Sequence, residues 1–422
     1  MRVLLFAGAG TSVELGVPAM AGLATEFRDH CRHGGIQVDL VEGILKRNGM
    51  DLELLIEILD QLNGAVPALK RLGKRVEDLE PAAEAHAEVE WFVQHSTERV
   101  RAQDAALMWE PVISAGRSHD LTVATTNYDR AVEMAAKSAD LNLRDGFDQF
   151  SEREFASWKD VPTSQGEGVR LLKLHGSTDW YSRQDSDETV KLRHPVALYG
   201  RYDLSVSSNG QNLRSALILP SREKRLTHEP YMSLSQAFLN EADQCDVAIF
   251  AGSSLRDPHI RTAARKTVSR EVPTFIVGPE ENSTVTGAKS IRQCASVFLI
   301  STLPKALAGD VSKTLNAAAD RLPAPDGGIL DAVRVLSRSK GEPLSRRDAI
   351  ERVDATGATL GTEQIKKLLA DEDASVAKHA LSLVYCSPHA ADLLKAARKS
   401  PHSKDKAYDA DLALLMKMLK EA

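Results

Sequence analysis

At 422 residues the chain is about three times a typical domain, long enough for two or more domains and a large buried core. Apolar residues make up 43% and charged residues 27%, which excludes a disordered chain, a collagen and a membrane bundle. Lysine and arginine total 53 against 59 acidic residues, and aromatics are only 5%, so a nucleic acid is not the primary partner. Cys31, Cys245, Cys294 and Cys386 lie far apart without a Cys-x-x-Cys pair. They suit neither a zinc knuckle nor a disulfide framework, and scattered thiols fit a reducing cytoplasm.

In chain order, the first element is a buried strand, Val3–Ala7; the apolar run that contains it is too short for a signal peptide. From about residue 40 to 116 no strand pattern occurs, and Leu52, Leu55, Ile56, Leu59 and Leu62 recur at helical spacing, which predicts a helical insertion. Strands follow at Leu121–Thr125, Arg170–Leu174, Ala216–Leu219, Val247–Ala251, Thr274–Val277 and Ser296–Ile300. Helices are expected at Ala131–Lys137 and Pro258–Val268. The strands are apolar nearly throughout, as in a parallel sheet covered on both faces. Ser182–Glu188 and Ser205–Leu213 read as surface loops. Leu322–Gly328, rich in proline and glycine, reads as a linker. Beyond it everything is helical, with Val376, Leu383, Leu412, Leu415 and Leu419 as apolar positions that need partners. No stretch is apolar for long enough to span a bilayer. The expectation is a doubly wound, Rossmann-like α/β domain over 1–322 and a helical C-terminal domain for assembly or partner binding over 329–422.

Four motifs follow strands. Gly8-Ala9-Gly10-Thr11-Ser12 lets the backbone turn tightly and approach a pyrophosphate; two glycines after a strand are also often only a turn. No Walker lysine is present, which excludes an ATPase loop of that kind. Thr125-Thr126-Asn127-Tyr128-Asp129 places an amide and a carboxylate at a strand's carboxyl end, where open α/β sheets bind ligands. Asn127 suits ribose hydroxyls or a water, whereas Asp129 either accepts from a hydroxyl or caps the next helix. Leu174-His175-Gly176 presents a general base at a crevice or a histidine bonded in the core. Gly252-Ser253-Ser254-Leu255-Arg256-Asp257-Pro258 is again a small-residue turn before a helix, and its plain reading is an N-cap.

Taken in order, these motifs resemble the sirtuin superfamily, and in particular its prokaryotic branch of NAD-consuming defence proteins. The resemblance runs from about Met1 to Leu303. It implies that Gly8, Ala9, Gly10, Thr11 and Ser12, with Pro18 and Thr126, form the phosphate-binding side of an NAD site. It further implies that Gly252, Ser253 and Ser254 hold the adenine-side ribose, and that Asn127, His175 and Asp129 are catalytic. Val277-Gly278 stands where the family usually carries an asparagine. Departures also inform. Deacylating members read Gly-Ile-Pro-Asp-Phe-Arg where this chain has Gly16-Val17-Pro18-Ala19-Met20-Ala21, and their four-cysteine zinc module has no counterpart here.

The implied activity is hydrolysis of the nicotinamide–ribose bond of NAD, with no metal, in antiphage defence by NAD depletion. A non-catalytic sensor of NAD or ADP-ribose, an enzyme making cyclic ADP-ribose, and an ADP-ribosyl or deacyl transferase stay open as alternatives. The resemblance also implies a cytoplasmic homo-oligomer, a companion ATPase or a phage-derived trigger.

Overall fold

The structure is a computed structural model. It describes the chain apart from residues 36, 74, 77–78, 151–154, 164–165, 167, 184–185, 187, 194–205, 209–210, 220–228, 321–331, 333–335, 337–345, 351–352, 354–359, 361, 386–389 and 422. Cys386 and the expected linker lie outside the described residues.

A parallel sheet forms the centre. Its strands are β1 (Arg2–Ala7), β2 (Asp120–Thr125), β3 (Leu143–Arg144), β5 (Val169–Lys173), β10 (Val247–Ala251), β11 (Thr274–Gly278) and β12 (Lys289–Arg292). The spatial order is β12-β11-β10-β1-β2-β5-β3. Val3, Leu5 and Ala7 point to one face, whereas Leu4 and Phe6 point to the other, and all are buried. Five buried residues in six are possible only because helices cover both faces. Helices α6 (Ala102–Gly116) and α7 (Ala131–Ser138) pack on the first face, and α8 (Tyr231–Gln244) and α9 (Pro258–Ser269) on the second. The sheet is doubly wound, as its sequence pattern predicts. At its amino-terminal edge, Glu241 Oε2 accepts from both Arg170 (2.8 Å) and Arg2 (3.2 Å).

Among its described residues the strandless region consists of helices and their connections, and the helices begin before residue 40. After the short α1 (Gly10–Val13), helices α2 (Met20–Gly34), α3 (Val38–Arg47), α4 (Leu52–Arg71) and α5 (Glu80–Thr97) share a core of their own. Leu52, Leu55, Ile56 and Leu59 face inward in it. Asp51 caps α4 by accepting from the Leu54 N–H at 3.0 Å. Tyr128, Leu217 and Leu219 join this core, so the insertion rests against the two segments that flank Asn127 and His175.

Several expectations are overturned. Ser296–Ile300 is helical rather than a strand: Ala295–Val297, the π-type turn Phe298–Thr302 and Leu303–Leu307 run on as one helical stretch. A short run buried on all sides has no period from which to tell strand from helix. Ala216–Leu219 belongs to no strand; its Ala216 N–H bonds Trp180 O at the start of β6 and its Ile218 N–H bonds His175 O in the loop after β5. Ser205–Leu213 is not a simple loop. β8 (Val206–Ser208) and β9 (Gln211–Ser215) pair there, in a second, antiparallel sheet of order β4-β7-β6-β9-β8. Its other strands are β4 (Phe155–Ser157), β6 (Trp180–Arg183) and β7 (Thr189–Leu192), so Ser182 lies in a strand as well. Asn209-Gly210 between β8 and β9 is the dipeptide that signals such a hairpin.

The C-terminal region is helical where described: Thr362–Leu369, Ala374–Tyr385, Ala390–Arg398 and Lys406–Glu421. Val376, Leu383, Leu412 and Leu415 are buried and Leu419 packs against them, in one cluster continuous with the sheet core. Four of these side chains are buried within the chain, and Leu419 is half-buried against them. Leu414 and Met418 stay outside, at 58% and 40% exposure.

Candidate active site

Four neighbouring strands end at one level. Ala7 pairs with Ala251 and with Thr125, and Thr125 pairs with Lys173. The loops that leave these ends carry all four sequence motifs. The chain proceeds from β1 towards β2 and β5 on one side, then returns to β10 on the other side of β1. That makes β1/β10 the topological switch point, where open α/β sheets bind ligands.

The glycines meet each other there. A Cβ on Gly8 would stand 2.7 Å from Gly252 O, and one on Gly10 would stand 2.8 Å from Gly252 Cα. Gly252, at φ +63°, would bring a Cβ to 2.6 Å from Thr11 N. The three glycines are thus required by the apposition of two backbones. Gly8 N–H donates to Ala251 O and Gly10 N–H to Gly252 O, both at 2.8 Å; Thr11 and Ser12 N–H donate back to Gly8 O and Ala9 O at 3.0 Å. Four of the five loop amides are therefore engaged within the protein. Ala9 forms the exposed tip. Ser253 Oγ accepts from the Leu255 N–H at 3.2 Å, and Ser254 is exposed beside it.

Asn127 ties its loop to the glycine loop. Its Nδ2 lies 3.0 Å from Gly8 O, 3.0 Å from Thr11 Oγ1 and 2.9 Å from Ser12 Oγ. Its own N–H donates to Thr125 Oγ1 at 3.0 Å. With Nδ2 committed, Oδ1 is the atom through which Asn127 can serve a ligand. Ser12 passes the chain on, its hydroxyl donating to Asp129 Oδ2 at 2.6 Å. Asp129 Oδ1 accepts from Ala131 N–H at 3.0 Å, at the start of α7. The carboxylate thus accepts from a hydroxyl and from the first amide of α7, while the cap position itself is Arg130, which makes no side-chain cap bond. Each of its oxygens holds one protein donor, and the residue is buried. Thr126 is half-buried between them, and Pro18 is half-buried ahead of α2, against Gly22.

His175 follows β5 as Asn127 follows β2, two residues beyond the paired strand ends. Gly176 turns the chain at φ +85°, with Ala216 O at 2.7 Å from the place of a Cβ. The histidine is only 6% exposed, deeper than a crevice wall. Its Nε2 lies 3.9 Å from Asp257 Oδ2, a neighbour that the sequence pattern marks only as a helix cap. Below, Lys173 Nζ is buried against Asp129 O and 3.2 Å from Glu133 Oε1. Burial holds the Glu133 carboxyl above its ordinary range, against the pull of Lys173. Burial likewise raises Glu98, at the end of α5, and Asp179 adds to that while Arg130 opposes it. Among the described residues no three His, Cys, Asp or Glu side chains are grouped to hold a metal.

Fold and loops together define a doubly wound α/β protein whose four motifs meet at its switch point. Residues 121–290 match the SIR2-like domain, a span that includes Asn127, Asp129, His175 and Gly252 and stops short of the first glycine loop. Among solved structures the chain is similar to a Sir2 homologue in complex with NAD, at 14% identity and a TM-score of 0.42, over 76% of this chain and 91% of that one. It is also similar to a mutant Sir2 homologue bound to 2'-O-acetyl ADP-ribose, at 15% identity and a TM-score of 0.41, over 76% and 94%. No curated protein matches the chain.

Proposed function

We propose that the chain is an NAD glycohydrolase: NAD and water give nicotinamide, ADP-ribose and a proton. The observation that carries this reading is the placement of Asn127 and His175 at equal offsets beyond paired strand ends, inside the SIR2-like span. The nicotinamide of NAD is a cationic leaving group, so cleavage passes through an oxocarbenium-like transition state. The protein then has to hold the ribose, exclude bulk water and orient a nucleophile. His175 acts as base toward a ribose hydroxyl or the attacking water, and Asn127 Oδ1 orients that group. Asp129 and Ser12 hold Asn127 in place.

Antiphage defence by NAD depletion, in the cytoplasm and under the restraint of an oligomer, a companion ATPase or a phage-derived trigger, is the biological setting that this reading carries. A second reading is favoured by the burial of His175 and the engaged loop amides: a module that binds NAD or ADP-ribose and leaves it intact. Incubation of the purified chain with NAD and chromatography of the products decides between them. Equimolar nicotinamide and ADP-ribose support hydrolysis, cyclic ADP-ribose supports cyclisation, and bound but intact NAD supports the sensor.

A further inference from the structure

We propose that Asp257 is the positioning residue of His175, holding its imidazole with the proton on Nε2. The proposal rests on reading His175 as the base. The Asp257 carboxylate divides its oxygens between two tasks. Oδ1 accepts from the His259 N–H at 2.9 Å and caps α9, while Oδ2 lies 3.9 Å from His175 Nε2. A cap alone is supplied as well by serine or asparagine. A carboxylate beside a buried imidazole does what they do not: it fixes the tautomer and stabilises the imidazolium that forms when the base takes its proton.

The backbone supports the assignment. Leu255 is buried with φ +55°, the left-handed region that a leucine rarely adopts. Strain of this kind persists where the surrounding structure imposes it, and it clusters at functional sites. The turn is held by Ser253 Oγ, which accepts from the Leu255 N–H. On the far side, Pro258 at the first helical turn and the Arg261 N–H bond to Asp257 O fix the aspartate in the helix start. Asp257 is therefore delivered to His175 by a rigid, strained corner. At 3.9 Å the separation is longer than a hydrogen bond, and catalytic contacts of this type tighten in the substrate complex.

The test uses the full chain with 15N-labelled histidine, the His175 signal being assigned by its loss in His175→Gln. In the wild type the neutral His175 ring carries its proton on Nε2. Asp257→Ser keeps the cap and withdraws the acceptor, so unfolding temperature holds while the Nε2–H preference is lost. An unchanged tautomer in Asp257→Ser overturns the proposal, whatever the chain does to NAD. Asp257→Asn gives the same reading if the serine variant fails to fold. Where the wild type hydrolyses NAD, Asp257→Ser lowers kcat by about 10- to 100-fold with KM within about twofold; an undiminished kcat also overturns it. A wild type that shows the tautomer but leaves NAD intact refutes the glycohydrolase reading and not this pairing.

Discussion

Gly252 shows at the residue scale how little freedom the site allows. Its φ is +63°, and a Cβ there would stand 2.6 Å from Thr11 N, which leaves no room for any side chain. Gly252→Ala is expected to cost about 2–4 kcal/mol, from backbone strain and a clash with another backbone that cannot move aside. Chemical denaturation measures the loss, and NAD binding should fall with it. Asn127 and His175 could be found in the sequence because their residue types carry the chemistry and each follows an apolar strand. Asp257 could not be paired with His175 there. The two belong to different loops, joined only when β5 and β10 take their places on either side of β1 and β2. The engaged amides of the glycine loop were equally hidden, since their acceptors include Ala251 and Gly252 on another strand's turn.

At the scale of elements, the cap that ends α5 carries a carboxylate that burial disfavours. Burial raises the Glu98 carboxyl from its ordinary 4.5, so folding disfavours its ionised form. The ionised group therefore weakens the fold at neutral pH, and the penalty fades as pH falls through the raised value and below 4.5. Glu98→Gln should raise the unfolding temperature at pH 7, with the gain shrinking to nothing near pH 4. A gain independent of pH would show that charge is not the cause. The central strands were readable because burial on both faces leaves nearly continuous apolar runs. β12 was not, since Lys289–Arg292 is an edge strand with only Ile291 buried. Ser296–Ile300 misled for the opposite reason, being buried on every side with no period to read.

For the whole molecule, the α/β architecture and the helical C-terminal region follow from the alternation of strands and helical patterns. What the apolar positions beyond the expected linker face does not follow from it. Helical spacing marks a face as apolar without saying whether the same chain or another covers it. Here Leu383 is buried in a cluster continuous with the sheet core. Leu383→Ala is expected to cost about 2–5 kcal/mol of stability while leaving the mass in light scattering unchanged. A changed mass with unchanged stability would assign Leu383 to an interface between chains.

The central claim is that Asn127 and His175 form a site that breaks the nicotinamide–ribose bond. It is tested most directly by NAD turnover of the wild type against His175→Ala, with circular dichroism to establish that both are folded. The account predicts equimolar nicotinamide and ADP-ribose from the wild type and a rate lower by about 10²–10⁴-fold in the variant. Equal rates in the two folded proteins, or NAD left intact by the wild type, would contradict it.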